Sequence, residues 1–155
     1  MHKRGSYTEQ CKRMKRYFVR FKEINDGRGH SQPSLYYDDD VYAFFQNCYY
    51  LKDWIKNDPA CSSWSSIEGM INKNKDLSIC ADLCNALKHL ILKNKPRSTV
   101  NPNFAGGKIT LKIDGFNISK KYIVSTSTGD IDAFELAKRC VNAWEQYISA
   151  NGGTP

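Results

Sequence analysis

The chain has 155 residues, of which 41% are hydrophobic and 25% are charged. These proportions are typical of a globular protein and exclude a largely disordered chain. Its apolar runs are too short to cross a membrane, and no segment has the pattern of a signal peptide. We therefore expect a single domain over residues 1–155, located in the cytoplasm and without a membrane partner.

The net charge of +7 is concentrated near the start of the chain. Residues 1–22 contain eight basic residues and one acidic residue, whereas the rest of the chain contains fifteen of each sign. Apolar periodicity predicts a helix over about residues 6–25, with the cations gathered on its other face. Because such a face can neutralise phosphates, it predicts an RNA-binding surface. Its members are Lys12, Arg13, Lys15, Arg16 and Arg20.

Four further helices follow in chain order, over about residues 37–57, 65–72, 76–94 and 130–150. Before the last of them, apolar and polar residues alternate around Asp114-Gly115, which predicts a β-hairpin over about residues 108–127. Residues 151–155 are expected to fray. The fold class is therefore mainly α: an up-and-down bundle of four to five helices, with one β-hairpin insertion before the last helix.

The helix predicted over about residues 76–94 has two distinct faces. One face is apolar and includes Cys80 and Cys84. Asp82, Asn85 and His89 line the opposite face, where their neighbours are mostly small. Small residues allow another helix to approach closely, so this second face indicates a subunit interface or the floor of a pocket. We expect a homodimer that buries it.

An asparagine followed four residues later by a histidine, late in a helix of an all-α bundle, resembles the HEPN domain family. The motif of that family is an arginine, a polar residue that is often asparagine, three variable residues and a histidine. Asn85 matches the polar position and His89 matches the histidine. The resemblance covers the second to fifth helices loosely. It implies a metal-independent endoribonuclease that acts as a dimer, in settings such as toxin–antitoxin or anti-phage defence systems.

The chemistry of RNA cleavage gives each candidate residue a role. Attack by the 2′-hydroxyl needs a group that moves a proton, and histidine is suited to it because its pKa lies near neutrality. We therefore expect His89 to transfer the proton and Asn85 to orient the substrate or the histidine. Asp82 extends the same polar row and completes the predicted catalytic set.

The arginine position of the motif is occupied by Cys84. An arginine would stabilise the charge that develops on the phosphate, and losing one such donor typically costs about a hundredfold or more in rate. Lys88 beside the polar row and Arg97 in the following loop could replace it and could also bind RNA. The departure favours a catalytically degenerate or weak enzyme.

Two other functions fit the same patterns. The second face of residues 76–94 could bind a protein partner in a non-enzymatic interaction module, with the basic helix adding solubility. Attachment of the basic helix to an acidic membrane surface is a third possibility, although the bundle needs its apolar side. The six cysteines include no C-x-x-C pair, so they predict reduced, buried thiols, with no metal site and no cofactor.

Overall fold

The computed structural model describes residues 5–29, 35–88, 96–112 and 117–155. In this part of the chain there are five α-helices: α1 (Tyr7–Asp26), α2 (Leu35–Asn57), α3 (Ile67–Lys73), α4 (Lys75–Lys88) and α5 (Ala133–Ala150). One turn of 3-10 helix, Pro59–Cys61, connects α2 to α3. The prediction of a mainly helical chain is confirmed. The up-and-down order of the helices remains a prediction.

Four strands form one antiparallel sheet: β1 (Arg28–Gly29), β2 (Asn103–Lys112), β3 (Asn117–Thr126) and β4 (Gly129–Asp132). β3 is the central strand and pairs with β2 from Lys112↔Asn117 to Asn103↔Ser125. The register shifts between Phe104 and Gly107, where Gly106 has a φ of 94° that favours glycine. The two short strands also pair with β3, β1 at residues 117–118 and β4 at residues 123–126.

The predicted hairpin is confirmed as β2 and β3, although its turn lies outside the described residues. It is part of a larger sheet than expected, because β1 and β4 add pairing that the sequence pattern did not indicate. Residues 130–132 belong to β4, and α5 begins after Asp132, whose carboxylate accepts hydrogen bonds from the backbone N–H groups of Phe134 and Glu135. The end of the fourth predicted helix, residues 89–94, falls outside the described part of the chain.

The sheet is tied to the helices by a buried polar contact. Tyr122 on β3 donates its hydroxyl hydrogen bond to Asp38 in the first turn of α2, and Lys120 lies 2.6 Å from the same carboxylate oxygen. β3 packs on α1 and α5, and Tyr122 and Val124 enter the core beside Phe21 and Phe134. Helix α2 thus positions β3 as well as its helical neighbours.

Residues 77–84 of α4 are all buried, which makes α4 a central helix. It packs on α2, α3 and α5, while the segment after residue 95 covers its remaining side through Ser98. Both predicted faces of α4 are therefore covered within one chain over this stretch. Among the helices that the structure describes, none combines the length and apolar character needed to cross a membrane.

Candidate functional site

Asp82, the first residue of the predicted polar row, is engaged within the chain. Its side chain is buried, and one oxygen accepts a hydrogen bond from the backbone N–H of Arg97 at 2.7 Å. The other oxygen accepts from the backbone N–H of Ser98 at 2.8 Å and from the Ser98 hydroxyl. These three donors hold the loop after α4 against the helix. The arrangement supports a structural role for Asp82, and its catalytic role remains a prediction.

Asn85 lies one turn beyond Asp82 and is only half-buried. Its side chain forms no hydrogen bond with any of the residues described, so its amide is available to a ligand or a neighbouring side chain. Lys88, at the end of α4, is exposed. His89, the predicted proton-transfer residue, lies outside the described residues.

Cys84 occupies the position where the HEPN motif has an arginine, and it is 3% exposed. Burial and the nearby thiol of Cys48 raise the pKa of Cys84 to about 11, partly opposed by the charges of Lys88 and Lys52. Cys84 is therefore a neutral thiol at physiological pH and supplies no positive charge to a phosphate.

The sequence predicts Arg97 as a replacement for the missing cation. Its backbone N–H contacts Asp82 on α4, but its side chain contacts α2 and α3. Its guanidinium lies 2.8 Å from a Glu68 carboxylate oxygen and 2.9 Å from the side-chain oxygen of Asn72, both on α3. A third, longer contact of 3.4 Å reaches the Tyr49 hydroxyl on α2. Arg97 thus links the loop to α2 and α3, and these contacts occupy most of its donors.

Glu68 also forms ion pairs with two lysines of α2. Lys52 and Lys56 lie 3.7 Å and 3.6 Å from its carboxylate. Burial alone would raise the pKa of Glu68, but the hydrogen bond from Arg97 and the charges of all three cations outweigh it and lower the pKa. Lys52 also lies 3.7 Å from Asp53, so three cations meet two carboxylates and the cluster keeps a positive balance of one.

A cleft of about 400 Å³ lies beside Arg97. Its wall includes two exposed lysines at the junction of α3 and α4, Lys73 and Lys75, and the hydroxyl-bearing residues Ser98, Thr99 and Thr128. No pattern along the chain marks these lysines as candidates, because only the fold brings residues 72–78 next to residues 97–100. The cleft has the charge and hydroxyl groups to receive an anion.

The predicted basic surface of α1 is present on the outside of the domain. Lys12 and Arg16 are exposed, and neither forms an ion pair with a residue that the structure describes. Arg13 is half-buried: its guanidinium donates a hydrogen bond of 2.6 Å to Gln10 and lies 5.5 Å from the centre of the Trp54 ring. This contact fixes the side chain of Arg13 against α2.

Two other cations of α1 are partly neutralised within the chain. Lys15 lies 3.1 Å from Glu145 on α5, and Arg20 lies 3.4 Å from Asp40 on α2. Exposed pairs of this kind contribute little to stability and exchange readily for other partners. The strongest candidates for an external anion on α1 are therefore Lys12 and Arg16.

The residues best suited to hold a metal ion are cysteines. Cys48, Cys80 and Cys140 place their sulfur atoms within 4.8 Å of one another. They come from α2, α4 and α5, so no spacing rule along the chain could have grouped them. The prediction that the thiols are buried is confirmed for all six cysteines, and none forms a disulfide.

Comparison of the chain with protein-family models, with curated proteins and with solved structures finds no match.

Proposed function

We propose that this chain is an RNA-binding protein of the HEPN-like type, acting in the cytoplasm and contacting the RNA backbone through the exposed face of α1. The observation that carries the proposal is the pair Lys12 and Arg16, exposed cations one turn apart with no ion pair among the described residues. Side chains four residues apart lie on one face of a helix. They can therefore contact phosphates of one strand together, and each contact releases counterions.

Catalysis in this proposal is weak or absent. The amide of Asn85 has no hydrogen-bond partner in the part of the chain that the structure describes, and His89 follows it at the spacing of the HEPN motif. Cys84 supplies no cation, and the guanidinium of Arg97 contacts Glu68, Asn72 and Tyr49. The phosphate would therefore have only Lys88 as a nearby positive charge on α4. The HEPN resemblance further suggests a homodimer and a setting in toxin–antitoxin or anti-phage defence.

The alternative proposal is a protein-interaction module that uses the second face of α4. Residues 78–84 of that helix are covered by the chain itself, so only the part from Asn85 onward would be available to a partner. This smaller surface makes RNA binding through α1 the better-supported function.

The first prediction separates the α1 surface from the cleft beside Arg97. Lys12→Glu combined with Arg16→Glu should weaken binding to a labelled single-stranded RNA and lower the slope of log affinity against log salt concentration by about two, because two phosphate contacts are lost. Fluorescence anisotropy across a salt series measures both quantities.

The matched control is Lys73→Glu combined with Lys75→Glu, which makes the same charge change on exposed lysines of the cleft. It should leave the salt slope within about half a unit of the wild-type slope. If the control loses binding while the α1 variant keeps it, the RNA surface is the cleft and the proposal for α1 is wrong.

The second prediction concerns cleavage. Purified wild type should produce only trace cutting of a mixed RNA pool in buffer that contains a chelator, and His89→Ala should give the same trace signal with unchanged RNA binding. Strong cutting by the wild type that disappears in His89→Ala would show an active site despite Cys84. Asn85→Ala would then lower the rate less than His89→Ala, since orientation contributes less than proton transfer.

A further inference from the structure

Three helices bring one cysteine each to a common point in the core. Cys48 and Cys140 are 0% exposed, Cys80 is 1% exposed, and their sulfur atoms all lie within 4.8 Å of one another. The thiol of Cys80 donates to the backbone carbonyl of Phe45 at 3.5 Å, and that of Cys140 donates to the carbonyl of Asp76 at 3.4 Å. Thiols are weak donors, so these two hydrogen bonds hold the cluster only weakly.

A buried donor without an acceptor faces this cluster. Nε1 of Trp144, on α5 one turn after Cys140, has no hydrogen-bond partner among the described residues although the side chain is 1% exposed. The N–H of Trp144 is directed towards the sulfur of Cys48. Neutral thiols are weak acceptors, whereas a thiolate would satisfy the N–H. A metal-bound thiolate in the cluster would give this donor an acceptor.

We propose that Cys48, Cys80 and Cys140 form a binding site for one thiophilic metal ion, and that Cu(I) is the ion the site fits best. Soft thiolate ligands select Cu(I), zinc and iron–sulfur clusters over hard cations. Cu(I) accepts two or three sulfur ligands. Zinc in structural sites takes four ligands, and no fourth cysteine, histidine or carboxylate joins this cluster among the residues described.

The dimensions of the cluster suit such an ion after a small contraction. An ion at the centre of a triangle whose sides are at most 4.8 Å lies at most about 2.8 Å from each sulfur, against the ~2.3 Å of a typical metal–thiolate bond. An inward shift of about half an ångström per sulfur closes the site, which rotation about the Cα–Cβ bond of each cysteine can supply.

Binding changes the protonation of the cluster. Coordination of Cu(I) by two thiolates and one thiol replaces two S–H protons, and these two protons pass to solvent. With two thiolates and one retained thiol, Cu(I) leaves a net charge of −1, which the N–H of Trp144 stabilises by donating to a ligand sulfur. Because the sulfurs are buried, the ion enters while the chain folds or when the helices open locally.

The test uses two complementary variants of the full chain, each refolded anaerobically with Cu(I). One variant keeps only the cluster and carries Cys11→Ala, Cys61→Ala and Cys84→Ala. The other removes the cluster through Cys48→Ala, Cys80→Ala and Cys140→Ala. Competition with a chromophoric Cu(I) chelator gives stoichiometry and affinity. We expect one ion per chain in the wild type and in the cluster-only variant, and none in the other.

Two further measurements keep the test decisive if the triple variant fails to fold. Cys80→Ala alone should retain wild-type helicity by circular dichroism and bind Cu(I) at least about tenfold more weakly, since it loses one of three ligands. Trp144→Phe should shift the sulfur-to-copper absorption band of the bound ion while the stoichiometry stays at one. A role of Trp144 in packing alone would leave that band unchanged.

Three results would overturn the proposal. The first is a wild-type chain that refolds without bound Cu(I). The second is a folded cluster-free variant, or folded Cys80→Ala, that binds Cu(I) as tightly as the wild type. The third is tighter binding of Zn²⁺ than of Cu(I), with an X-ray absorption spectrum that shows a nitrogen or oxygen ligand on the zinc. That result would reject the assignment to Cu(I).

Discussion

At the scale of single residues, the Asp82 carboxylate acts as a cap for the segment that follows α4. It is 1% exposed and accepts hydrogen bonds from two backbone N–H groups and one hydroxyl of that segment. A buried N–H that loses its acceptor costs about 1–3 kcal/mol. The side chain therefore stabilises the loop that places Arg97 beside α2 and α3.

The prediction at this scale compares two side chains of the same contact. Asp82→Ala should lower the free energy of unfolding by about 2–4 kcal/mol, because the buried N–H of Ser98 and the half-buried N–H of Arg97 lose their acceptor. Ser98→Ala removes only the hydroxyl and should cost about 1 kcal/mol. Urea titration followed by circular dichroism measures both. An Asp82→Ala chain of wild-type stability would show that the loop is not held by this carboxylate.

At the scale of secondary-structure elements, Glu68 connects α3 to α2 and to the loop after α4. Its carboxylate meets Lys52, Lys56 and Arg97. The pKa of Glu68 is lowered in the folded chain, so its contribution to stability is present above the pKa of the unfolded state and is lost as pH falls through the folded value. Partial exposure of the side chains limits that contribution.

The corresponding prediction is a pH dependence. Glu68→Gln should destabilise the chain by less than about 1 kcal/mol at pH 7, since the pair is partly exposed. The difference from wild type should shrink as pH falls below about 4.5, where the carboxylate is protonated first in the unfolded state and then, at its lowered pKa, in the folded state. Thermal unfolding at pH 7, 5 and 3.5 measures it. A difference that grows on acidification would reject the ion-pair explanation. Asp53→Asn, which removes the other carboxylate near Lys52, is the control.

The elements differ in how well the sequence predicts them, for physical reasons. α1, α2 and α5 have long apolar periodicities and are confirmed within a few residues, and Asp114-Gly115 marked the pairing of β2 with β3. β1 has only two residues, too few for an alternating pattern. β4 runs directly into α5, so residues 130–132 were predicted as part of that helix, whereas Asp132 is its cap.

The candidate site was less predictable, because it depends on contacts between distant segments. The helical wheel of α4 placed Asp82 correctly on the face opposite Cys80, but it could not show that residues 97–98 cover that face. For the same reason, the pattern suggested that a second chain would bury Ala81, which is 0% exposed within one chain. Cys48, Cys80 and Cys140 come together only when three helices pack, so no pattern along the sequence indicates their cluster.

At the scale of the whole molecule, a dimer would have to form through surfaces that the single chain leaves open. Ala81 is buried within the single chain. The variant Ala81→Arg would therefore disturb folding and would not test association. Asn85 is half-buried and Lys88 is exposed at the end of α4. The part of the second face that remains available to a second copy therefore begins at Asn85.

The prediction at this scale concerns association. If the end of α4 forms the dimer, Asn85→Arg should convert a dimer into a monomer at micromolar concentration, because it adds a bulky charge to the contact. Sedimentation velocity measures the change. Lys56→Arg, which keeps the charge at an exposed site on α2, should leave the dimer intact. A wild-type chain that sediments as a monomer would contradict the dimer itself.

The end of the chain is attached to its beginning. The Tyr7 hydroxyl donates to the Thr154 carbonyl at 3.2 Å and accepts from its N–H at 3.0 Å, across 147 residues, where the sequence suggested a frayed tail. In addition, α5 delivers Trp144, which is 1% exposed, to the core. During synthesis, α1 leaves the ribosome long before these partners exist. Part of its apolar side therefore stays uncovered until residues 144–154 have emerged, so the core closes only when these sequence-distant partners have been made.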